Sequence, residues 1–203
     1  MTGNAEILQA GFADPVFDSQ RAFRTVLGAL SEPGLVAELD PALTPPPGLE
    51  PATAIALLTL ADYETPVWLP PALAAGAAGR WLRFHAGAPL TTTPADSAYA
   101  VITAGAEAPE LFDFHPGDDQ FPDRSTTIFI QCTSLEGGLP VILAGPGIPG
   151  SRRFAPQGPV PEFWRAAAAN HARYPLGVDC LFTAGRRIAG LPRSTRIETG
   201  ETR

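Results

Sequence analysis

Segments with helical spacing alternate along this chain with short apolar runs, and that alternation constrains the fold more than any other feature of its 203 residues. Val16 to Leu30 predicts an amphipathic helix. Val16, Phe23, Val26, Leu27 and Leu30 recur at its spacing, with Arg21 and Arg24 on the wetter side. Pro33 and Gly34 end it. Ala52 to Ala61, apolar all round after Pro51, predicts a buried helix, and Pro161 to His171 predicts another. Between them lie strand-like runs at Leu35–Leu39, Val67–Leu69 (edge-type), Trp81–His85 and Tyr99–Thr103. Thr126–Leu135 and Leu139–Ala144 flank Glu136-Gly137-Gly138 as a hairpin, and Val178–Thr183 pairs with Arg187–Leu191 across Gly185. Pro41 to Pro51 is a surface loop, Pro70 to Gly79 a helix-like or irregular connection, and Ala104 to Arg124 loop-rich with a helical turn near Phe112. The expectation is an α/β fold, a three-layer mixed sheet with helices on both faces, in a single domain over 1–203 that no repeat or linker divides.

Composition narrows the chemistry. Apolar residues make up 45% of the chain, enough for a core, and no apolar run approaches the roughly 20 residues that span a bilayer. Met1 to Phe12 lacks the basic start and apolar stretch of a signal peptide, so a soluble cytoplasmic protein without membrane attachment is expected. Cys132 and Cys180, far apart within apolar runs, read as buried free thiols. A net charge of −7 speaks against nucleic acid as a partner. The charge is uneven: residues 1–151 hold 5 Arg against 17 acids, and residues 152–203 hold 9 Arg against 4. That arginine-rich quarter suits either a phosphate or an acidic partner, although solvation accounts for most of such charges. All 14 basic residues are arginine. Without lysine the chain forms no Schiff base, so pyridoxal-phosphate catalysis is excluded, as is a P-loop with its phosphate-binding lysine.

The residues that could carry chemistry are few. Gly145-Pro146-Gly147 reads as a tight turn, because proline removes a donor that a phosphate loop needs. His85, His115 and His171 stand at no ligand spacing, so no metal site is expected. On a strand, Arg83 and His85 would share a face and offer a bidentate cation beside a titratable donor. Asp179 lies in an apolar run and needs a partner, which arginine could supply. Arg193 and Thr195 share a face if the strand persists past Pro192. A candidate anion site therefore comprises Arg83, His85, Arg193 and Thr195, with Ser31 and Glu32 nearby and Asp179 as support. The competing reading is that Arg193 neutralises Asp179 and the cluster merely holds strands together. No nucleophile elbow or close carboxylate pair signals self-contained catalysis, so no catalytic residue is assigned.

Seven segments in order carry a family resemblance: Leu-Ser-Glu-Pro-Gly (30–34), Leu-Leu-Thr-Leu-Ala-Asp-Tyr-Glu-Thr-Pro-Val-Trp-Leu (57–69), Leu-Arg-Phe-His-Ala-Gly-Ala-Pro-Leu (82–90), Phe-Pro-Asp-Arg-Ser-Thr-Thr (121–127), Ala-Gly-Pro-Gly-Ile (144–148), Pro-Leu-Gly-Val-Asp (175–179) and Leu-Pro-Arg-Ser-Thr-Arg-Ile-Glu (191–198). Over about residues 16–198 the chain resembles the H subunit family of the bacterial carbon–phosphorus lyase system, also called phosphonate metabolism protein H. The resemblance implies a fold related to the large domain of pyridoxal-phosphate transferases without that cofactor. It implies a homodimer in isolation and an assembly with G, I and J subunits. The implied activity belongs to the assembly: a phosphonate displaces adenine from ATP, which serves only as substrate, giving ribose 1-phosphonate 5-triphosphate. Outside the resemblance, two rivals stand: a phosphoester hydrolase using His85 and Asp179 as acid and base, and a phosphonate- or nucleotide-binding module.

Overall fold

The computed structural model describes residues 8–104 and 109–199. Helix α1 (Pro15–Ser31) starts where Asp14 caps the backbone N–H of Phe17 and Asp18 accepts from the N–H of Asp14. Its length matches the helical periodicity, but its buried face does not. Ala22, Val26 and Ala29 face the core, whereas Val16, Phe23 and Leu27 are 72%, 48% and 52% exposed. The reason is close packing. Strand β9 (Arg187–Leu191) presents Gly190 to the backbone of Ala29, and a side chain there would collide with the Ala29 carbonyl. Only small residues fit beneath α1.

Short strands β1 (Ala37–Glu38), β2 (Val67–Trp68) and β3 (Leu90–Thr91) join the longer β4 (Tyr99–Thr103), β5 (Thr127–Gln131) and β8 (Asp179–Ala184). With β9 they form a seven-stranded sheet in the order β1-β9-β8-β5-β4-β2-β3. From β3 to β8 neighbours run parallel, and β9 runs against both β8 and β1. Alternation along the strands builds two cores. Val67, Val101, Phe129, Leu181 and Ile188 point to one face, covered by α1, α2 (Pro51–Leu60) and α4 (Ala77–Ala86). Trp68, Ile102, Ile130, Phe182 and Ala189 point to the other. That second face is covered by α5 (Pro161–His171) and by a three-stranded antiparallel sheet, β10-β6-β7, made of β6 (Val141–Ala144), β7 (Arg152–Phe154) and β10 (Arg196–Thr199). The mixed α/β sheet is as expected, but its second face is not covered by helices alone.

Three local expectations fail for identifiable reasons. Trp81–His85 is not a strand but the second half of α4. Ala78, Trp81 and Leu82 bury one helical face, and Gly87 ends the helix at φ 68°. A short apolar run fits either period, and Phe84, on the outer face of the helix, is 74% exposed. Glu136-Gly137-Gly138 does not join a hairpin. β5 already has parallel partners on both edges, so β6 has no free edge there and enters the small sheet. β2 is not an edge strand, because β3 lies outside it, and its Trp68 is buried rather than exposed. The connection after Pro70 contains a short helix, α3 (Pro71–Ala75), before α4. The loop expected over 104–124 includes residues 105–108, which lie outside the described residues; its helical turn is present at Leu111–Asp113.

Candidate functional site

The chain leaves β2 toward α3 and α4 on the helical face, and leaves β4 toward Leu111 and Phe114 on the opposite face. One strand in from this change of side, a crevice lies beyond the C-terminal ends of β4 and β5, the end at which ligands usually bind in α/β sheets. Here it has two compartments separated by Thr103 and Ala104.

The first compartment, about 400 Å³, lies against the start of α2 and is lined by Glu50, Thr103, Gln131, Cys132 and Thr133. Gln131, buried at the end of β5, fixes its shape. Its Oε1 accepts from the Glu50 N–H at 2.6 Å and its Nε2 donates to the Gly48 carbonyl at 3.0 Å. The Glu50 carboxylate accepts from the Gly185 N–H at 2.8 Å, and the Ala52 N–H donates to the Gly185 carbonyl, so α2 is tied to the turn after β8. Burial pushes the Cys132 thiol up to about 12 and raises that of Cys180 as well, the latter helped by the Asp179 charge. Neither serves as a thiolate near neutrality. The second compartment, about 240 Å³, is an apolar slot. Ile102 and Ile130 form its floor, Leu111, Phe163 and Ala166 its walls, with Val160, Glu110 and Glu162 around it. Among the described residues no arginine lines either compartment. A crevice bearing Glu50, Glu110 and Glu162 repels phosphate and phosphonate groups.

The residues expected to form an anion site occupy three separate places. Arg83 and His85 lie on α4; His85 Nε2 is 2.9 Å from the Gln9 carbonyl, which also accepts from Trp81 Nε1 at 3.0 Å. As helix neighbours two apart they do not share a face. Arg193 stands at the opposite side of the sheet, at the N-terminal end of β8. Its guanidinium holds both oxygens of Asp179, at 2.6 and 3.1 Å, while its backbone N–H donates to the same carboxylate at 2.8 Å. It also donates to the Pro122 carbonyl at 2.7 Å, and its own carbonyl lies 2.9 Å from His171 Nδ1. With side chains only 12% and 19% exposed, the pair is a strand-end clamp closed to a ligand. Ser31, Glu32 and Thr195 meet at a third place, the Gly145-Pro146-Gly147 turn. A side chain on Gly147 would strike the Ser31 carbonyl, and one on Gly145 would lie 3.1 Å from the Ser194 carbonyl. Arg152 donates to the Glu32 and Pro33 carbonyls at 3.0 and 2.6 Å, and Thr195 is buried. This is a packing junction between α1 and the small sheet.

Several other arginines of the C-terminal quarter form ion pairs nearer the surface, and Arg173 lies over the Phe112 ring, 5.4 Å from its centroid. Arg165 pairs with Glu162, Arg186 with Glu38 and Asp40, Arg187 with Glu136, and Arg196 with Glu198. Among the described residues no group of three or more His, Cys, Asp or Glu side chains is placed to hold a metal ion, and no helix is long and apolar enough to cross a membrane. The crevice itself went unread in the sequence. Its one local signal was Gln131, a polar residue inside the apolar run Thr126–Leu135.

Fold and site thus define a mixed α/β protein whose ionisable residues chiefly stabilise its own framework. The family model for the bacterial phosphonate metabolism protein PhnH matches residues 10–198, and the chain belongs to that family. It is similar to the alpha-D-ribose 1-methylphosphonate 5-triphosphate synthase subunit PhnH of Rhizobium meliloti (strain 1021), with 40% identity over 198 residues, 98% of this chain and 99% of that protein. It is also 28% identical over 180 residues, 88% of this chain and 85% of the relative, to a Stutzerimonas stutzeri protein named "Putative C-P lyase subunit protein HtxG".

Proposed function

We propose that this chain is a subunit of an alpha-D-ribose 1-methylphosphonate 5-triphosphate synthase in a carbon–phosphorus lyase system, and that it has no turnover by itself. The observation that carries this reading is the 40% identity, over almost the whole of both chains, to a protein bearing that name. The absence of a self-contained catalytic set among the described residues supports the second half. Transfer of a phosphonate onto the ribose of ATP, with loss of adenine, is then a property of the assembly with G, I and J subunits. The H-type subunit shapes or stabilises the site and carries no pyridoxal phosphate, in keeping with its lack of lysine. The seven-stranded sheet, in which β9 alone runs against the rest, supports a relationship to the large domain of pyridoxal-phosphate transferases. In isolation a two-fold dimer is expected, and the exposed apolar side chains of α1 support it. Purified alone, the chain should give no product from ATP and methylphosphonate, and product should appear on co-expression with the G, I and J subunits. Robust turnover by the isolated chain would defeat the proposal.

A further inference from the structure

We infer that the apolar slot between α5 and Leu111 is an anchor pocket for a partner subunit, taking one large apolar side chain that stands beside a lysine or arginine of that partner. The inference rests on the subunit reading above and goes further by naming the surface and the chemistry that fills it. Size comes first. The slot holds about 240 Å³, below the roughly 300–1,000 Å³ usual for small-molecule sites. A single aromatic side chain, Phe, Tyr or Trp, is the occupant that such a space suits; aromatic residues are enriched at protein interfaces, and Trp and Tyr anchors carry much of their affinity. The walls suit the same guest: Ile102 and Ile130 beneath, Phe163 and Ala166 from α5, Leu111 opposite.

The mouth gives the second argument. Val160 is 49% exposed and Phe112, next to Leu111, is 43% exposed, so apolar surface continues outward from the slot. Such a ring excludes water around a seated anchor. Charge gives the third. Glu110 and Glu162 stand at the slot; among the described residues Arg165 bonds Glu162 at 2.6 Å, and Arg173 is engaged on the Phe112 ring, 5.4 Å from its centroid. That pair is exposed, 68% on each side chain, and a partner's guanidinium or ammonium can compete for the carboxylate. An anionic metabolite is repelled from this mouth, whereas a basic side chain flanking an apolar anchor is attracted.

The test uses the whole chain co-expressed with the G, I and J subunits, with assembly read by co-purification and light scattering. Ala166→Phe fills the slot from within. Glu162→Arg reverses its rim at an exposed position, where loss of the Arg165 pair and of an acid in the first turn of α5 costs folding little, and Glu198→Arg, on β10, likewise gives up an exposed pair and serves as the charge control. Assembly should weaken at least tenfold for Ala166→Phe and for Glu162→Arg, each with an unchanged melting temperature, and remain normal for Glu198→Arg. Normal assembly of Glu162→Arg overturns the pocket, whatever Ala166→Phe does to folding. Normal assembly of both variants with loss of turnover also overturns it, since the slot would then hold a small molecule. Failure of the unaltered chain to assemble at all overturns the subunit reading together with the pocket.

Discussion

The parallel strands of the main sheet begin and end in opposite environments. At their N-terminal ends, Asp179 and Arg193 form a nearly buried pair with every oxygen of the carboxylate engaged, and Pro122 and His171 close round it. At their C-terminal ends, Thr103, Gln131 and Thr133 open onto a crevice with carboxylates around it and, among the described residues, no arginine in its lining. The same chain therefore places its best charge pair where nothing can enter and surrounds its open end with carboxylates. A cluster of charged residues in sequence is weak ground for a binding site until the carboxylates that claim those charges are known.

That contrast can be broken by mutation. Arg193→Met should produce the largest effect, because it strands the Asp179 charge in a mostly buried corner. A loss of about 3 kcal/mol is expected in urea unfolding, and a change under 1 kcal/mol would mean that the corner is wetter than its geometry indicates. At the open end, Gln131→Ala removes the acceptor for the Glu50 N–H and the donor to Gly48. Here the cost should be smaller, about 1–2 kcal/mol, with hydrogen exchange speeding up at the start of α2 and staying normal in β9.

The thiols offer a pH handle on the same strands. The Cys132 pKa is raised from 9.0 to about 12 in the fold, so the folded chain keeps a proton that the unfolded chain loses. The stabilisation is complete below pH 9 and falls as pH rises from there toward 12, about 1 kcal/mol by pH 10. Melting temperature against pH for the unaltered protein and for Cys132→Ala should show that difference only above pH 9, and parallel curves would refute it. The smallest effect is expected at Arg83→Met. Arg83 lies exposed on α4, away from both strand ends, so stability should change by less than about 0.5 kcal/mol. Growth on methylphosphonate should be normal; a well-folded variant that cannot grow would restore Arg83 to an anion site.

What could be read from the sequence was local. α1 announces itself through helical periodicity ended by Pro33-Gly34, α5 through an initial proline followed by such periodicity, and β8–β9 through two apolar runs separated by a Gly185 turn. The failures have a common origin in long-range partners. Whether Trp81–His85 is helix or strand depends on what Trp81 packs against, and whether β5 and β6 pair depends on β8 having already taken the free edge. The Asp179–Arg193 alternative was visible because the two residues lie 14 apart in one motif-rich stretch. The crevice was not, since its lining comes from residues near 50, 103, 131 and 160, and no local pattern links them.

The insertion of β5 between β4 and β8 has a consequence for biosynthesis. Ribosomes deliver β5 well before β8, with β6, β7 and α5 translated in between. Until the stretch from Asp179 onward is available, the nascent chain carries an unpaired edge on β5. Completion of the large sheet thus waits for β8, and a transcript cut short before residue 179 would yield a chain prone to aggregate rather than a smaller working protein.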